Sequence, residues 1–202
     1  PRELAGLSEW ATRLPELMVF VIRGDAAQEA VLGAILETIQ KEYVCLESFA
    51  LTEHQIASLT RHARGGNWVE GKKNTPILPH SVALCVPRPG DDRGNRRHVE
   101  RVASLKQRIR HTINRQFRQD AKLRVVHSTD DALEAQYYLH ILYGGDRASQ
   151  CRRIELSLKR HPVLVGGFAL AENKITRESG ESEDVRKAPP RPWATAWQRN
   201  VA

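Results

Sequence analysis

A histidine that follows a short apolar stretch and precedes a helix start is the side chain of this sequence best suited to chemistry. His127 comes directly after Val125 and Val126, and Ser128 and Asp131 beyond it have the spacing of a helix capping box. We therefore expect the imidazole at a strand end beside a helix N-terminus, where backbone N–H groups attract anions and help to keep the ring neutral. A neutral imidazole is a good nucleophile toward phosphorus. The position predicts either a nucleophile for phosphoryl transfer or a structural histidine.

Basic side chains dominate the sequence before this histidine. Residues 93–124 hold eleven basic residues against two acidic ones, a charge of +9, while the whole 202-residue chain carries +7. This excess predicts a polyanionic ligand, such as a nucleotide, a nucleic acid or an acidic lipid, or else a solvated basic helix face. The arginines that could neutralise phosphates beside His127 are Arg110, Arg115, Arg118 and Arg124.

The elements that must position these residues alternate between strands and helices. Apolar runs and alternation predict strands, and helical periodicity predicts helices between them. The predicted strands are residues 18–22, 43–51, 81–86 and 123–126. Two helices are predicted at residues 28–41 and 95–113. A third is opened by a capping box at Thr52 and Gln55, and a fourth follows His127. This order predicts an α+β fold, a ferredoxin-like βαββαβ sandwich with helices on one face of an antiparallel sheet. A parallel Rossmann-like sheet is the competing interpretation, but the chain lacks its glycine fingerprint.

Cysteine use and hydropathy narrow the cellular setting. Cys45, Cys85 and Cys151 are odd in number and far apart, which fits neither a disulfide framework nor a zinc site. Cys45 and Cys85 stand inside apolar runs as buried thiols, which predicts a reducing compartment and a cytoplasmic protein. The apolar runs all fall short of the roughly 20 residues that a membrane span requires, so we expect no membrane-spanning segment.

The stretch at residues 112–135 resembles the nucleoside-diphosphate kinase family. That family has T-I-R-x-D-F, then nine residues, then H-G-S-D-S-x-x-x-A; here TINRQF starts at Thr112 and HSTDDALEA starts at His127, with the same spacing. Upstream, VIRGD at residues 21–25 is similar to the family's strand-end I-K-P-D, and SVALCV at residues 81–86 is similar to G-P-V-V-A-M-V. The resemblance covers roughly residues 17–143.

The resemblance implies a ferredoxin-like fold with extra helices, nucleotide binding and a phosphohistidine at His127. Mg²⁺ would arrive with the phosphates of ATP or GTP, and Trp68 would stack on the base. The implied nucleotide- and phosphate-binding residues are Arg23, Trp68, Arg110, Asn114, Arg115 and Arg124. Since the family usually forms oligomers, the resemblance also implies a homo-oligomer.

The chain departs from the family pattern around the same site. Arg23 stands for the phosphate-binding lysine, Asn114 for the arginine of T-I-R, Arg124 for an asparagine, Tyr138 for the glutamate that orients the histidine, and Thr60 for a tyrosine. The long loop before T-I-R, which supplies contacts to ligand and to neighbouring subunits in the family, is missing. These differences favour a non-standard phosphate acceptor over ordinary exchange between nucleotides.

The domain organisation follows from the same comparison. We place a nucleotide-binding domain at residues 1–147 and a partly flexible C-terminal extension at residues 148–202. In the extension, residues 154–158 and 163–169 are expected to form a strand hairpin. A run of mixed charges and three prolines follows, which is typical of an exposed linker.

Three functions are compatible with the sequence. The first is a nucleotide-dependent phosphotransferase with a phosphohistidine at His127. The second is a catalytically degenerate nucleotide-binding or regulatory module of a larger protein, favoured by the missing glutamate and loop and by a start without Met. The third is a nucleic-acid-binding protein that uses residues 93–124, although aromatic residues make up only 6% of the chain and none lies between Arg93 and Arg115 to stack on bases. We expect the first.

Overall fold

The computed structural model describes residues 2–27, 29–63, 77–88, 95–115 and 125–160. Its helices are α1 (Arg2–Arg13), α2 (Glu29–Gln40), α3 (Glu53–His62), α4 (Asn95–Asn114), α5 (Ala132–Tyr143) and α6 (Arg147–Arg160). Its strands are β1 (Met18–Arg23), β2 (Tyr43–Ala50), β3 (Pro79–Pro87) and β4 (Val126–Ser128). Short 3-10 turns follow β1 at Gly24–Ala26 and α5 at Gly144–Asp146.

Within these residues the strands form one antiparallel sheet in the order β2-β3-β1-β4. Strand β1 lies inside the sheet, paired with β3 through Phe20 and Ala83 and with β4 through Val21 and His127. Strands β2 and β4 are the two edges. This is the ferredoxin-like order, so the predicted α+β fold is confirmed and the parallel alternative is wrong.

Helices cover both faces of the sheet, which corrects the expectation of helices on one face only. Alternate residues of β1 belong to different cores: Met18 and Phe20 pack in one that includes α2 and α4, and Val19 and Val21 pack in one that includes α1, α3, α5 and α6. All of β1 is buried. An apolar side chain left in water would cost about 1.5–3 kcal/mol, so a strand that is apolar on both faces needs the extra helices.

Helix α6 replaces the strand that was expected at residues 154–158. The window Ile-Glu-Leu-Ser-Leu alternates like a strand, but Cys151, Ile154 and Leu158 follow a helical spacing and are buried in the core with α5. Leu156, which a strand would have placed on the same face as Ile154 and Leu158, is 51% exposed. The second expected strand, at residues 163–169, lies outside the described ranges, and the boundary at residue 147 stays a prediction.

The capping box at the start of α3 is confirmed. The Thr52 hydroxyl accepts a hydrogen bond from the backbone N–H of Gln55 at 3.3 Å, and the Gln55 amide oxygen accepts one from the backbone N–H of Thr52 at 3.0 Å. In the part of the chain that the structure covers, the helices are too short or too polar to cross a bilayer.

Candidate functional site

His127 occupies the middle of edge strand β4, opposite Val21 of β1. The backbone beyond it is fixed, because Val19 and Thr129 exchange two hydrogen bonds: Thr129 N–H donates to the Val19 carbonyl at 3.0 Å, and the Thr129 hydroxyl accepts from Val19 N–H at 3.0 Å. The strand predicted at residues 123–126 is therefore shifted to Val126–Ser128. The apolar pattern missed this shift because pairing with β1 continues through polar residues.

Tyr138 of α5 holds the imidazole of His127. The distance between His127 Nε2 and the Tyr138 hydroxyl oxygen is 2.9 Å, and the two rings stack at 6.1 Å between centroids with an interplanar angle of 23°. Tyr138 is fully buried in the core, whereas His127 is half-buried. A half-buried imidazole fixed at one nitrogen by a buried hydroxyl has a defined ring orientation. Tyr138 is also the residue that stands for the orienting glutamate in the family that the sequence resembles.

The N-terminus of α5 is capped by carboxylates, not by the predicted box at Ser128 and Asp131. Asp131 is the N-cap residue and accepts a hydrogen bond from Glu134 N–H at 2.9 Å. The Glu134 carboxylate accepts one from Asp130 N–H at 2.6 Å. Ser128 remains in β4. Because acidic side chains engage these N–H groups, the helix end is a weaker anion site than the sequence predicts.

Helix α4 supplies positive charge along β4. Arg110 Nη2 donates to the carbonyl of Val126, the residue before His127, at 3.0 Å. Lys106, one turn earlier, has its Nζ 4.0 Å from Asp130 Oδ1. Burial lowers the pKa of the Lys106 ammonium, the charge of Asp130 opposes that shift, and Arg110 adds to it. The sequence prediction missed Lys106, although its spacing to Arg110 places both on one side of the helix.

The other predicted site residues fall at different places. Arg23 is the last residue of β1, and its backbone N–H donates to the Val125 carbonyl at 3.1 Å. The residue is buried, with only 3% of its surface exposed. Asn114 is the last residue of α4, and the exposed Arg115 beyond it donates from Nε to His111 Nε2 at 3.0 Å. Trp68, Arg118 and Arg124 lie in segments that the structure does not describe. Arg23, Arg110 and His127 are thus gathered around β4, and Arg115 is turned toward its own helix.

A groove of about 490 Å³ lies along α3. Its lining residues are Glu53, Ile56, Ala57, Thr60, Arg61 and Leu78. The Leu78 carbonyl accepts a hydrogen bond from Gly24 N–H at 2.8 Å, so the groove adjoins the end of β1. A mostly apolar groove of this size can take a flat ring system, with Arg61 at its wall.

Much of the basic charge of α4 is used inside the fold. Arg101 Nε lies 3.2 Å from Glu42 Oε2, Arg101 Nη2 donates to the Glu42 carbonyl at 2.8 Å, and Arg108 contacts the same carboxylate. These contacts tie α4 to the connection between α2 and β2. The described residues include no cluster of three or more His, Cys, Asp or Glu side chains that could hold a metal ion.

Comparison with known proteins gives little support for any assignment. No protein-family model matches the chain. No curated protein is significantly similar to it. Among solved structures, it is similar to a nucleoside diphosphate kinase from Aquifex aeolicus, with a TM-score of 0.40 and 22% identity over 65% of this chain and 96% of the kinase. A similarity of this extent carries no information about activity, which must be argued from the residues themselves.

Proposed function

We propose that the protein binds a nucleoside triphosphate together with its Mg²⁺ and accepts the γ-phosphoryl group on His127. The observation that supports this best is the 2.9 Å contact between His127 Nε2 and the Tyr138 hydroxyl. A nucleophilic imidazole needs a fixed orientation, which a hydrogen bond at one nitrogen supplies. The spacing of residues 112–127 in the sequence supports the same assignment.

In this proposal the two nitrogens of His127 have different tasks. Nε2 keeps its proton and donates it to the Tyr138 oxygen, so the lone pair for attack belongs to Nδ1. Nδ1 forms a bond to the γ-phosphorus, the bond from that phosphorus to the β–γ bridging oxygen breaks, and the nucleoside diphosphate leaves with the electron pair. The phosphoryl group then passes from Nδ1 to an acceptor.

The charge that develops on the phosphates is stabilised by cations from α4. Arg110 is anchored one residue from His127, and Lys106 lies beside Asp130 at the other end of β4. Preorganised cations of this kind contribute to catalysis because they need no rearrangement when charge appears. The groove along α3 would hold the base, which agrees with the expected role of Trp68 in the segment that follows α3.

Replacing a carboxylate with a phenol at the orienting position should change the chemistry. A carboxylate would stabilise the positive charge that the ring gains on phosphorylation, and a neutral hydroxyl stabilises it less. We therefore propose a slower phosphorylation step and an acceptor other than a common nucleoside diphosphate.

Labelling with γ-³²P-ATP or γ-³²P-GTP and Mg²⁺ tests the proposal. We expect acid-labile, base-stable phosphate on the wild-type chain and on the control His140→Gln, which changes a different histidine that lies on α5. His127→Asn should bind nucleotide but carry no label. Label that persists in His127→Asn, or a wild-type chain that takes no label, would overturn the phosphotransfer proposal.

A second candidate is a nucleotide-binding module without turnover. The burial of Arg23 and the carboxylate caps at the start of α5 favour it, because both reduce the charge available to a reacting phosphate. This candidate predicts nucleotide binding in calorimetry with no phosphohistidine. We also propose a homo-oligomer, which light scattering would test. Nucleic-acid binding through α4 is less favoured, because Arg101 and Arg108 are engaged by Glu42.

A further inference from the structure

Two cysteines are paired on the neighbouring strands β2 and β3, toward the sheet edge that lies farthest from His127. Cys45 of β2 is the register partner of Cys85 of β3. Both pack in the core that includes α2 and α4. Cys85 is fully buried, while Cys45, on edge strand β2, is partly exposed. One thiol of the pair is therefore open to small reagents from solvent, and the other is sheltered behind it.

The hydrogen-bonding pattern of the two strands brings this pair close. Arg88 N–H donates to the Glu42 carbonyl at 3.1 Å, and Leu51 N–H donates to the His80 carbonyl at 2.8 Å. In an antiparallel ladder, hydrogen-bonded and non-hydrogen-bonded residue pairs alternate. Counting from the hydrogen-bonded pair Glu42–Arg88 at one end, or from Leu51–His80 at the other, makes Cys45 and Cys85 a non-hydrogen-bonded pair. The irregularity between Cys45 and Glu47 adds one residue to β2 in this count. The Cα atoms of such a pair lie about 4.5 Å apart.

That separation suits a disulfide without movement of the backbone. Cysteines in disulfides have Cα atoms about 4.4–6.8 Å apart, so the expected separation lies at the short end of the permitted range. Directly opposed residues on one face of a sheet also point their side chains in the same direction. The register thus meets the geometric condition for a covalent bond between β2 and β3.

The environment makes the exposed cysteine the more reactive of the two. A hydrogen bond with Cys85 lowers the pKa of the Cys45 thiol, burial opposes that shift, and the backbone of Glu47 adds to it. The same hydrogen bond and the burial of Cys85 raise the pKa of its thiol well above the usual range. Since the thiolate is the nucleophile, Cys45 reacts first and Cys85 second.

We propose that Cys45 and Cys85 form a modification site at which a hydroperoxide oxidises Cys45 and Cys85 resolves the product as a cross-strand disulfide. The Cys45 thiolate attacks one peroxide oxygen, the O–O bond breaks, and Cys45 becomes a sulfenic acid while hydroxide leaves and takes up a proton. The Cys85 sulfur then attacks the Cys45 sulfur, the S–O bond breaks, and water leaves with the thiol proton. In total, two thiols and one hydrogen peroxide give one disulfide and two waters.

Cys151 offers a control within the same chain. It is fully buried, its Sγ donates to Gln136 Oε1 at 3.1 Å, and burial raises the pKa of its thiol. It has a polar partner but no cysteine opposite, so oxidation should leave it as a free thiol.

The experiment treats the full chain with a small excess of hydrogen peroxide, alkylates the remaining thiols and maps the peptides by mass spectrometry. We expect a Cys45–Cys85 cross-linked peptide in the wild type and in Cys151→Ser, lost again on reduction with dithiothreitol. Cys85→Ser should stop at a sulfenic acid on Cys45 that dimedone traps, and Cys45→Ser should leave Cys85 reduced. Full alkylation of both cysteines after peroxide, or cross-links only between chains, would overturn the proposal.

A measurement on the wild type alone tests the proposal even if the cysteine variants do not fold. Phenylarsine oxide bridges two adjacent thiols, so it should protect both Cys45 and Cys85 from alkylation in the untreated protein and leave Cys151 unchanged. Independent alkylation of the two cysteines in its presence would contradict their pairing.

Discussion

Removing the hydroxyl of Tyr138 should slow phosphorylation of His127 and leave the fold intact. Tyr138→Phe keeps the buried ring and deletes the hydroxyl that lies 2.9 Å from His127 Nε2. In the resting protein this is a neutral hydrogen bond, which contributes about 0.5–1.5 kcal/mol to stability. When the imidazole takes the phosphoryl group it gains positive charge, and a hydrogen bond to a charged group contributes about 1.5–3 kcal/mol. Only the gain between the two states, about 1–1.5 kcal/mol, acts on the rate, so we expect labelling to slow by about five- to tenfold.

The assay is single-turnover labelling with γ-³²P-ATP and Mg²⁺, combined with thermal melting of each variant. Tyr137→Phe is the matched control, because Tyr137 precedes Tyr138 on α5 but is only half-buried. It should label at the wild-type rate. Wild-type labelling by Tyr138→Phe, or an equal loss in Tyr137→Phe, would refute the assignment of Tyr138 as the positioning residue.

Three further changes test the cations of α4 beside the site and the packing of α6 in the core. Arg110→Met should weaken nucleotide binding in calorimetry by about tenfold, as expected for one charge-assisted contact, while Arg152→Met on the exposed side of α6 should not. Lys106→Met should weaken nucleotide binding and yet raise the free energy of unfolding at neutral pH. Burial holds the pKa of Lys106 in the folded protein below the ordinary 10.5, so the charged lysine disfavours folding at neutral pH and stability rises as the pH approaches 10.5. The variant should lose that rise in pH-dependent melts. Ile154→Ala should lower the free energy of unfolding by about 2–5 kcal/mol in urea titration; a negligible loss would contradict the packing of α6 in the core.

The sheet could be predicted because its signals are local. The apolar run Met18–Ile22 predicts a buried strand, and Thr52 with Gln55 gives a capping box that the structure reproduces. At residues 154–158 the alternation was a coincidence of a short window, and the longer helical period that starts at Cys151 decides the structure. Local pattern is reliable where it extends over a whole element and ambiguous over five residues.

The site was less predictable because its contacts join distant parts of the chain. The position of His127 could be predicted, but its place inside β4 depends on pairing with β1, more than a hundred residues away in sequence. The resemblance in sequence matched Tyr138 to the family's orienting glutamate without showing that its hydroxyl would meet His127 Nε2. Lys106 shares one side of α4 with Arg110, but its contact with Asp130 depends on the packing of α4 beside β4, and the choice of Asp131 as the cap depends on where β4 ends.

The central claim is that His127 carries phosphate on Nδ1, and the trapped phosphoprotein tests it most directly. Phosphorus NMR and peptide mapping after incubation with ATP and Mg²⁺ should find one phosphohistidine, at His127, with the phosphoryl group on Nδ1 because Nε2 is engaged by Tyr138. Phosphate on Nε2, phosphate on another residue, or nucleotide bound without any phosphoprotein would contradict the account.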